Sequence, residues 1–564
     1  MLLFAAATQT CFSSCNDFLS IEPENEIVLE KYWTAEGDVN SVLNACYAQL
    51  ENSQCIERMI VWGELRSDNM KVGSGTGTDL REILKENILE TNRYTQWDAF
   101  YKAINYCNTV LHYAQGVKDK DPNFTESEYR AVMAEATTLR ALCYFYLIRT
   151  FRDVPYVTQP SIDDSQDYQV KATPFDEVLD NLISDVERVK EDAVRSYGEE
   201  SVENSCRITR WACYALLADL YLWQGDYQKC VEYCDLVINE KIRQYEELYD
   251  RNPSTIKMEL YENKYPLISE SAQGSTRVGR AYTEIFGTGN SFESIFELIF
   301  PENRDVTNSA IGSLYGSRNT RGQLGVAENL AISPYLQGGT NPLFTKSDVR
   351  WLEFIDAREE AYIDKYVRES ESFLGSTTDG SAPEKRDSEN PRRGDNYANW
   401  IIYRLTDVML MRAEAEVELA GDIPEGGTAT EEQLEHYRSA FELVMAVWRR
   451  GNNKRQSSTD LLKFEDYSGS RQSMEDLVYA ERQRELIFEG KRWFDLVRQC
   501  RRDGNNDRMI RKVEKKFTAN VAMIRVKLST NNILYWPYNR SELKQNPFLK
   551  QNPAYVTDNT EINF

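Results

Sequence analysis

Residues 207–239 read RITRWACYALLADLYLWQGDYQKCVEYCDLVIN. Ala212, Ala215 and Ala218 stand at three-residue steps among large apolar side chains, a seam small enough for two helices to approach closely. Gly225 and Asp226 then turn the chain, because glycine reaches the left-handed conformation that ends a helix without steric cost. From Tyr227 a second amphipathic segment begins, with Cys230, Val231 and Cys234 facing back toward the first. The stretch spells two antiparallel helices joined by a tight turn.

The same arrangement recurs. YRLTDVMLMRAEAEVELAGD (403–422) is followed by EEQLEHYRSAFELVMAVWRR (431–450). EYRAVMAEATTLRALCYFYLIRTF (128–151) is followed, across a longer linker, by PFDEVLDNLISDVERVKED (174–192). Ahead of these, WDAFYKAINYCNTVLHYA (97–114) places Trp97, Phe100, Tyr101, Ile104 and Leu111 at helical steps. One hairpin says little, but a series defines a fold. The expected class is all-α, mainly helical, built as a scaffold of TPR-like helical hairpins.

Residues 241–400 break that pattern with Gly, Asn, Ser, Thr and Pro, as in GTGNSFES, GSLYGSRNTRGQLG and YLQGGTNPLF. SIFELIF (294–300) reads as a strand ending at Pro301, and the apolar-poor LGSTTDGSAPEKRDSENPRRGDN (374–396) as a surface loop. The chain is therefore expected to divide into a leader (1–14), an N-terminal helical region (15–240), an irregular loop-rich region with short strands (241–400) and a C-terminal helical region (401–564). Irregular segments held on rigid helices are where binding surfaces are built.

Composition narrows the function. The 564 residues hold 66 Lys and Arg against 90 Asp and Glu, a formal charge of −24. So acidic a surface repels phosphate backbones, which argues against nucleic acid as a partner. No run of eighteen apolar residues is present, so no bilayer-spanning helix is expected. His112 and His436 are isolated from one another, a poor basis for a His-ligated metal or an imidazole base. None of the eleven cysteines forms a C-x-x-C pair, and Cys206, Cys213, Cys230 and Cys234 sit among helical apolar residues as small hydrophobes. No metal and no cofactor is expected. Ser67-Asp68-Asn69 and Ser254-Thr255-Ile256-Lys257 copy two β-lactamase motifs, but in reversed order and without K-T-G. GSGTG (73–77) matches neither a dinucleotide fingerprint nor a P-loop. The expectation is a binding protein, not an enzyme.

ERQRELIFEGKRWFDLVRQ (481–499) is the densest mixture of charge and large rings. At about 100° per residue, Leu486, Ile487, Gly490, Trp493, Phe494 and Val497 share one face of a single helix. Glu481, Glu485, Glu489, Lys491, Arg492, Asp495 and Arg498 flank that face. They are expected to form exposed pairs such as Lys491–Asp495, each worth about 0.2–1 kcal/mol. Gly490 lets a neighbouring backbone come close. The stretch reads as architecture.

The first residues, MLLFAAATQTCFSSCNDFLS, pass from an apolar run through small residues to Cys15, the shape of a secretory signal. FSSC resembles a bacterial lipobox, although no Lys or Arg precedes the apolar run, and Cys11 fits the pattern less well. Cys15 is the expected lipidation site, giving a membrane anchor that does not span the bilayer. SSCNDFL is followed in order by KYWTAEGDVNSVLNACY (31–47), GELRSDN (63–69), WDAFYKAINYCN (97–108) and AEATTLRALCYFYLIRTFRDVPYV (134–157). Then come RITRWACYALLADLYL (207–222), ESIFELIF (293–300), YRLTDVMLMRAEA (403–415), ERQRELIFEGKRWFDLVR (481–498) and YWPYNRSELKQNPFLKQNPAY (535–555). By this ordered set the chain resembles the SusD/RagB-type outer-membrane lipoproteins of Bacteroidota. It departs from them where YWPY replaces a proline-flanked Ile-Pro.

That resemblance implies four TPR-like hairpins with the ligand face on the irregular region. It implies a surface-exposed, lipid-anchored protein that binds an oligosaccharide or polysaccharide and delivers it to a SusC-like TonB-dependent outer-membrane barrel. A peptide ligand, as in RagB-like members, is the alternative within the family, and a TPR-type adaptor without a small ligand the alternative outside it. Sugar rings stack on flat aromatic faces while Asp, Asn and Arg satisfy their hydroxyls. Most of the 33 Tyr and 10 Trp lie on helical stripes, so the candidates come from loops that the family uses for binding. They are Asp68 and Asn69, Arg81, and Tyr315, Arg318 and Tyr335. Tyr315 and Arg318 are the preferred pair, with Gly316 holding their loop open. A stacked Trp/Tyr platform would mark a glycan, and backbone-rich loop contacts with charged pockets a peptide.

Overall fold

The computed structural model describes residues 32–556 apart from 163–168, 200, 274–275, 303–305, 336–340, 357–360, 375–383, 386–390, 425 and 454–457. The Cys15 expectation, and most of the 374–396 loop, lie outside the described residues. Ten helices of twelve residues or more form the frame among the described residues. They are α1 (Glu36–Leu50), α2 (Asp98–Lys118), α3 (Glu126–Phe151), α4 (Phe175–Val189) and α5 (Arg210–Gln224). Then follow α6 (Tyr227–Arg251), α7 (Leu405–Ala420), α8 (Glu431–Gly451), α9 (Arg471–Leu486) and α10 (Arg492–Asp503). Each of α1 to α8 packs on the next in order, and α9 lies against both α7 and α8. This serial stacking is the expected hairpin scaffold.

Local chemistry sets the turns. Gly225 ends α5 with φ +87°, and the Asp226 side chain accepts from the Lys229 N–H at 3.0 Å to start α6. Ala212, Ala215 and Ala218 are buried at the seam, and Cys213, Cys230 and Cys234 are buried free thiols. Capping boxes pair Thr125 with Glu128 and Thr430 with Gln433 at the starts of α3 and α8. Helix α3 is long and apolar enough to cross a membrane, but it is the core helix, with 89% of its most apolar window buried in the fold. Helix α6 runs twelve residues past the expected end at 239, carried by the Arg243 ion pairs to Glu240 and Glu247.

The irregular region adds short strands. Strands β1 (Met70–Val72), β3 (Leu324–Val326), β5 (Tyr362–Ile363) and β4 (Ile355–Asp356) lie in that spatial order, every neighbour antiparallel. The expected strand appears as β2 (Ser294–Leu298), fully buried, and pairs antiparallel with β6 (Trp400–Arg404). The helical reading of 403–422 had absorbed the end of β6, since Tyr403 and Arg404 are extended and α7 begins at Leu405.

The stretch 481–499 differs most from expectation. It is two helices, broken at Ile487–Lys491, where Phe488 and Gly490 take φ of +66° and +70°. Glu64, from GELRSDN, fills the break. Its carboxylate accepts the N–H of Phe488 at 3.1 Å, of Lys491 at 3.2 Å and of Arg492 at 3.4 Å, so it caps the start of α10. Gly490 does admit a neighbouring backbone: a Cβ on Gly63 would lie 2.5 Å from the Gly490 carbonyl carbon.

The flanking charges are not exposed. Glu481, Glu485, Glu489, Arg492, Asp495 and Arg498 are all buried. Lys491 pairs with Asp407 at 2.8 Å rather than with Asp495, which pairs with Arg482 and Arg498, both at 2.9 Å. Trp493 is covered by the Arg66 guanidinium, 4.1 Å above its ring. Burial turns a row of surface pairs into the joint that holds the irregular region on the helices.

Candidate ligand-binding face

The strand β1 leads out of this joint. The helix Ser53–Ile60 widens into a π-type turn over Val61–Leu65, and Arg66–Asn69 carry the chain into β1. Asp68, a candidate ligand residue, is instead held by Arg492 through Nε–Oδ1 at 2.8 Å and Nη2–Oδ2 at 3.1 Å. Asn69 donates to Glu64 at 2.6 Å and accepts from Gln483 at 2.7 Å. Both side chains are buried and committed to protein partners, so they support the face from beneath rather than line it.

This joint gives stability opposing responses to pH. Burial alone would raise the Asp68 carboxyl, but Arg492 outweighs it and holds Asp68 at about 2. Arg482 and Arg498 likewise overcome burial to hold Asp495 at about 2. Folded-state values below the ordinary 3.8 mean that this stabilisation is present above pH 3.8 and is lost as pH falls toward 2. Glu64 is the reverse. Burial lifts it to about 7 against donated hydrogen bonds that lower it, so its contribution is full below pH 4.5 and is lost as pH rises through 7. Chemical denaturation from pH 2 to 8 is expected to show stability climbing to about pH 4 and then declining, the decline carrying about 3 kcal/mol from Glu64. Glu64→Gln should make the upper limb shallower and leave the acid limb in place. The remaining slope belongs to Glu418, which burial also raises to about 7. An unchanged upper limb would refute the assignment.

Two loops meet above β1 and β3. The Gly73 N–H donates to the Gln323 carbonyl at 3.0 Å, the Thr76 hydroxyl donates to the same carbonyl at 2.5 Å, and the Gly77 N–H donates to Gln323 Oε1 at 3.2 Å. A Cβ on Gly73 would lie 2.9 Å from the Gly322 carbonyl oxygen, which is why the GSGTG segment presses backbone on backbone here. Exposed Arg81 donates through Nη2 to the Thr76 carbonyl at 3.1 Å. The opposing turn is pinned at its base by a bridge between Gly316 and Arg321, and the Ser317 N–H donates to the Thr320 carbonyl at 2.9 Å. Arg318 stands exposed at its tip, anchored through its own N–H to the Arg393 carbonyl at 2.8 Å and through Nε to the Arg392 carbonyl at 3.2 Å.

Tyr315 and Arg318 are therefore not a ligand pair. Tyr315 is fully buried, and its hydroxyl donates to the Phe488 carbonyl at 2.9 Å inside the joint. Gly316 closes the loop instead of opening it, for a Cβ there would lie 2.8 Å from the Gly322 nitrogen. Tyr335 is half-buried, with its ring centroid 6.2 Å from that of Trp351. The structure places Arg81 in the short helix Thr78–Leu84 behind the GSGTG loop and Arg318 on the turn that this loop meets, and adds two residues that sequence reasoning missed. The Arg321 guanidinium lies 5.2 Å from the Tyr362 ring centroid with Nη1 2.9 Å from its hydroxyl, and Arg392 lies 5.6 Å from the same ring while bonded to Asp364 at 3.0 Å. The visible signal was SRNTR, two arginines three residues apart in a strongly acidic chain.

Two family models match the chain. One, the SusD family, covers residues 362–555, and the other, described as starch-binding and associating with the outer membrane, covers residues 17–222. The chain belongs to the SusD family. SusD-like protein P38 of Formosa agariphila is 24% identical over 566 residues, with 96% of each chain covered. A SusD superfamily protein from Bacteroides vulgatus superposes with a TM-score of 0.63 at 17% identity, covering 93% of this chain and all of that one. A laminarin-binding SusD-like protein superposes with a TM-score of 0.59 at 20% identity, over 93% and 100% of the two chains.

Among the described residues this SusD-like face carries no broad aromatic platform, so the feature expected to mark a glycan is not found there. Its exposed arginines are the charged kind of surface expected to mark a peptide. Of the ten tryptophans nine are buried and Trp211 is half-buried, and Tyr362 is only 6% exposed. Elsewhere, two cavities of about 660 and 640 Å³ flank the segment 155–161 and share Asn108 and Gln159. The guanidinium groups of the larger one are spent internally, with Arg140 on Asp185 at 2.9 Å and on Asn108 at 2.9 Å, and Arg188 on Asp185 at 2.7 Å. The loop face differs in presenting Arg81 and Arg318, neither of which has a carboxylate within 4.0 Å among the described residues.

Proposed function

We propose that this SusD-like chain is a surface-exposed lipoprotein, anchored through Cys15, that captures a glycan on its loop face and delivers it to a SusC-like TonB-dependent barrel in the outer membrane. The match to a family model described as starch-binding and associating with the outer membrane carries this reading, and the likeness to a laminarin-binding SusD-like protein supports it. The physics agrees with capture rather than catalysis. A buried ionic joint makes the frame stiff, so the loops meet a ligand with little entropy left to lose. No step of bond breaking is assigned to any residue.

A glycan array on the purified protein, followed by chromatography of the bound sugars, tests the reading. Binding of at least one glycan class with the sugars recovered at their original length is the expected result. Release of new reducing ends, or binding to no glycan, would overturn it. Intact-mass analysis of membrane-extracted protein should find acyl chains on Cys15, and Cys15→Ala should leave the protein unanchored. A bare Cys15 on membrane-bound protein would remove the anchor from the proposal.

A further inference from the structure

We infer that the loop face selects an anionic glycan, one bearing carboxylate or sulfate groups; this rests on the glycan-binding reading above. Arg318 and Arg321 lie on one turn, and Arg392, on the segment beside it, lies with Arg321 against Tyr362. Arg81 stands in the short helix Thr78–Leu84 that follows the adjoining GSGTG loop, in a chain whose formal charge is −24. In so acidic a protein the arginines are expected to be neutralised by nearby carboxylates, and most of those that line the frame are. Among the described residues Arg81 and Arg318 are exposed with no carboxylate within 4.0 Å, Arg81 acting only at longer range on Glu82. Each exposed guanidinium is tied by one bond to a backbone carbonyl, Arg81 by Nη2 and Arg318 by Nε, and no side-chain partner among the described residues engages its other N–H groups. A planar fork held this way matches the two oxygens of a carboxylate or sulfate group.

Two further features favour charge over stacking. The face lacks an exposed aromatic ring among the described residues, so the apolar side of a neutral pyranose finds no partner there. Tyr362 instead lies against Arg321 and Arg392, which stiffens the ground beneath the turn. Asn319, exposed at the tip beside Arg318, supplies an amide for sugar hydroxyls. The surrounding negative field also discourages polyanions from binding elsewhere, which confines them to this patch.

The test uses the full chain and matched ligand pairs in calorimetry. Tetragalacturonate is compared with its methyl ester, a carrageenan tetrasaccharide with its desulfated form, and laminaritetraose serves as the uncharged reference. At least one anionic member should bind tenfold or more tightly than its neutral twin. Arg81→Gln and Arg318→Gln should each weaken that binding at least fivefold while the thermal midpoint stays within the error of the parent protein. Equal affinity within both pairs, or preference for laminaritetraose, would overturn the inference and leave the glycan reading standing. Retention of binding in the double variant would also overturn it. Binding to oligoglutamate but to no saccharide would overturn both readings in favour of an acidic peptide.

Discussion

Replacing Glu485 with alanine is expected to cost about 3–5 kcal/mol of folding stability, the range for breaking a buried ion pair by removing one partner. Glu485 is 2% exposed, and it holds Arg404 at 2.6 Å, Arg350 at 3.0 Å and Arg450 together. Burial by itself would raise this carboxyl, yet the three guanidinium groups hold it well below the usual carboxylate range. Without it, three cations face one another in a dry interior, with only Glu489, Glu481, Asp348 and Glu293 left to share them. Such a loss is a large part of the ~5–15 kcal/mol that holds a domain folded. The partners also dictate where it shows first. Arg350 belongs to the irregular region and Lys365, on Glu489 at 2.6 Å, to the segment after β5. Limited proteolysis of Glu485→Ala should therefore cut within 252–400 before it cuts the long helices. A loss of unfolding free energy in urea of less than about 1 kcal/mol would show the joint to be dispensable.

Gly63→Ala is expected to be nearly as damaging, for a steric reason. Its Cβ would enter the Gly490 carbonyl group, 2.5 Å from the carbonyl carbon, and backbone cannot rotate away as a side chain can. Overpacking costs typically ~1–3 kcal/mol, and a backbone-on-backbone clash belongs at the upper end, about 3 kcal/mol or more. Gly490→Ala meets two penalties, a φ of +70° worth about 1–2 kcal/mol for a residue with a Cβ and a Met59 carbonyl oxygen 2.7 Å away. Because both glycines serve one contact, the double variant should lose less than the sum of the single losses. Additive losses in urea denaturation would show that they act separately.

The helical hairpins were legible because their signals are local. A period near 3.6, small residues at a seam and a Gly-Asp turn fix helices wherever the rest of the chain goes, as at Ala212, Gly225 and Tyr227. The stretch 481–499 was legible only in part. Its residue types announced packing, but the break at Ile487–Lys491 depends on Glu64, more than four hundred residues earlier, reaching the freed N–H groups. The ligand face was the least legible. Tyr315 and Arg318 are three residues apart and equally plausible on a loop, yet one turns inward to the Phe488 carbonyl and the other outward to solvent.

Taken alone, the amino-acid order determined the stacked helices, the acidic balance and the family, since periodicity and motif order need no partner to be read. Only the tertiary structure decided which charges are sealed inside and which face water. Burial is a property of what lies across from a side chain, and in this protein the opposing groups come from segments hundreds of residues away.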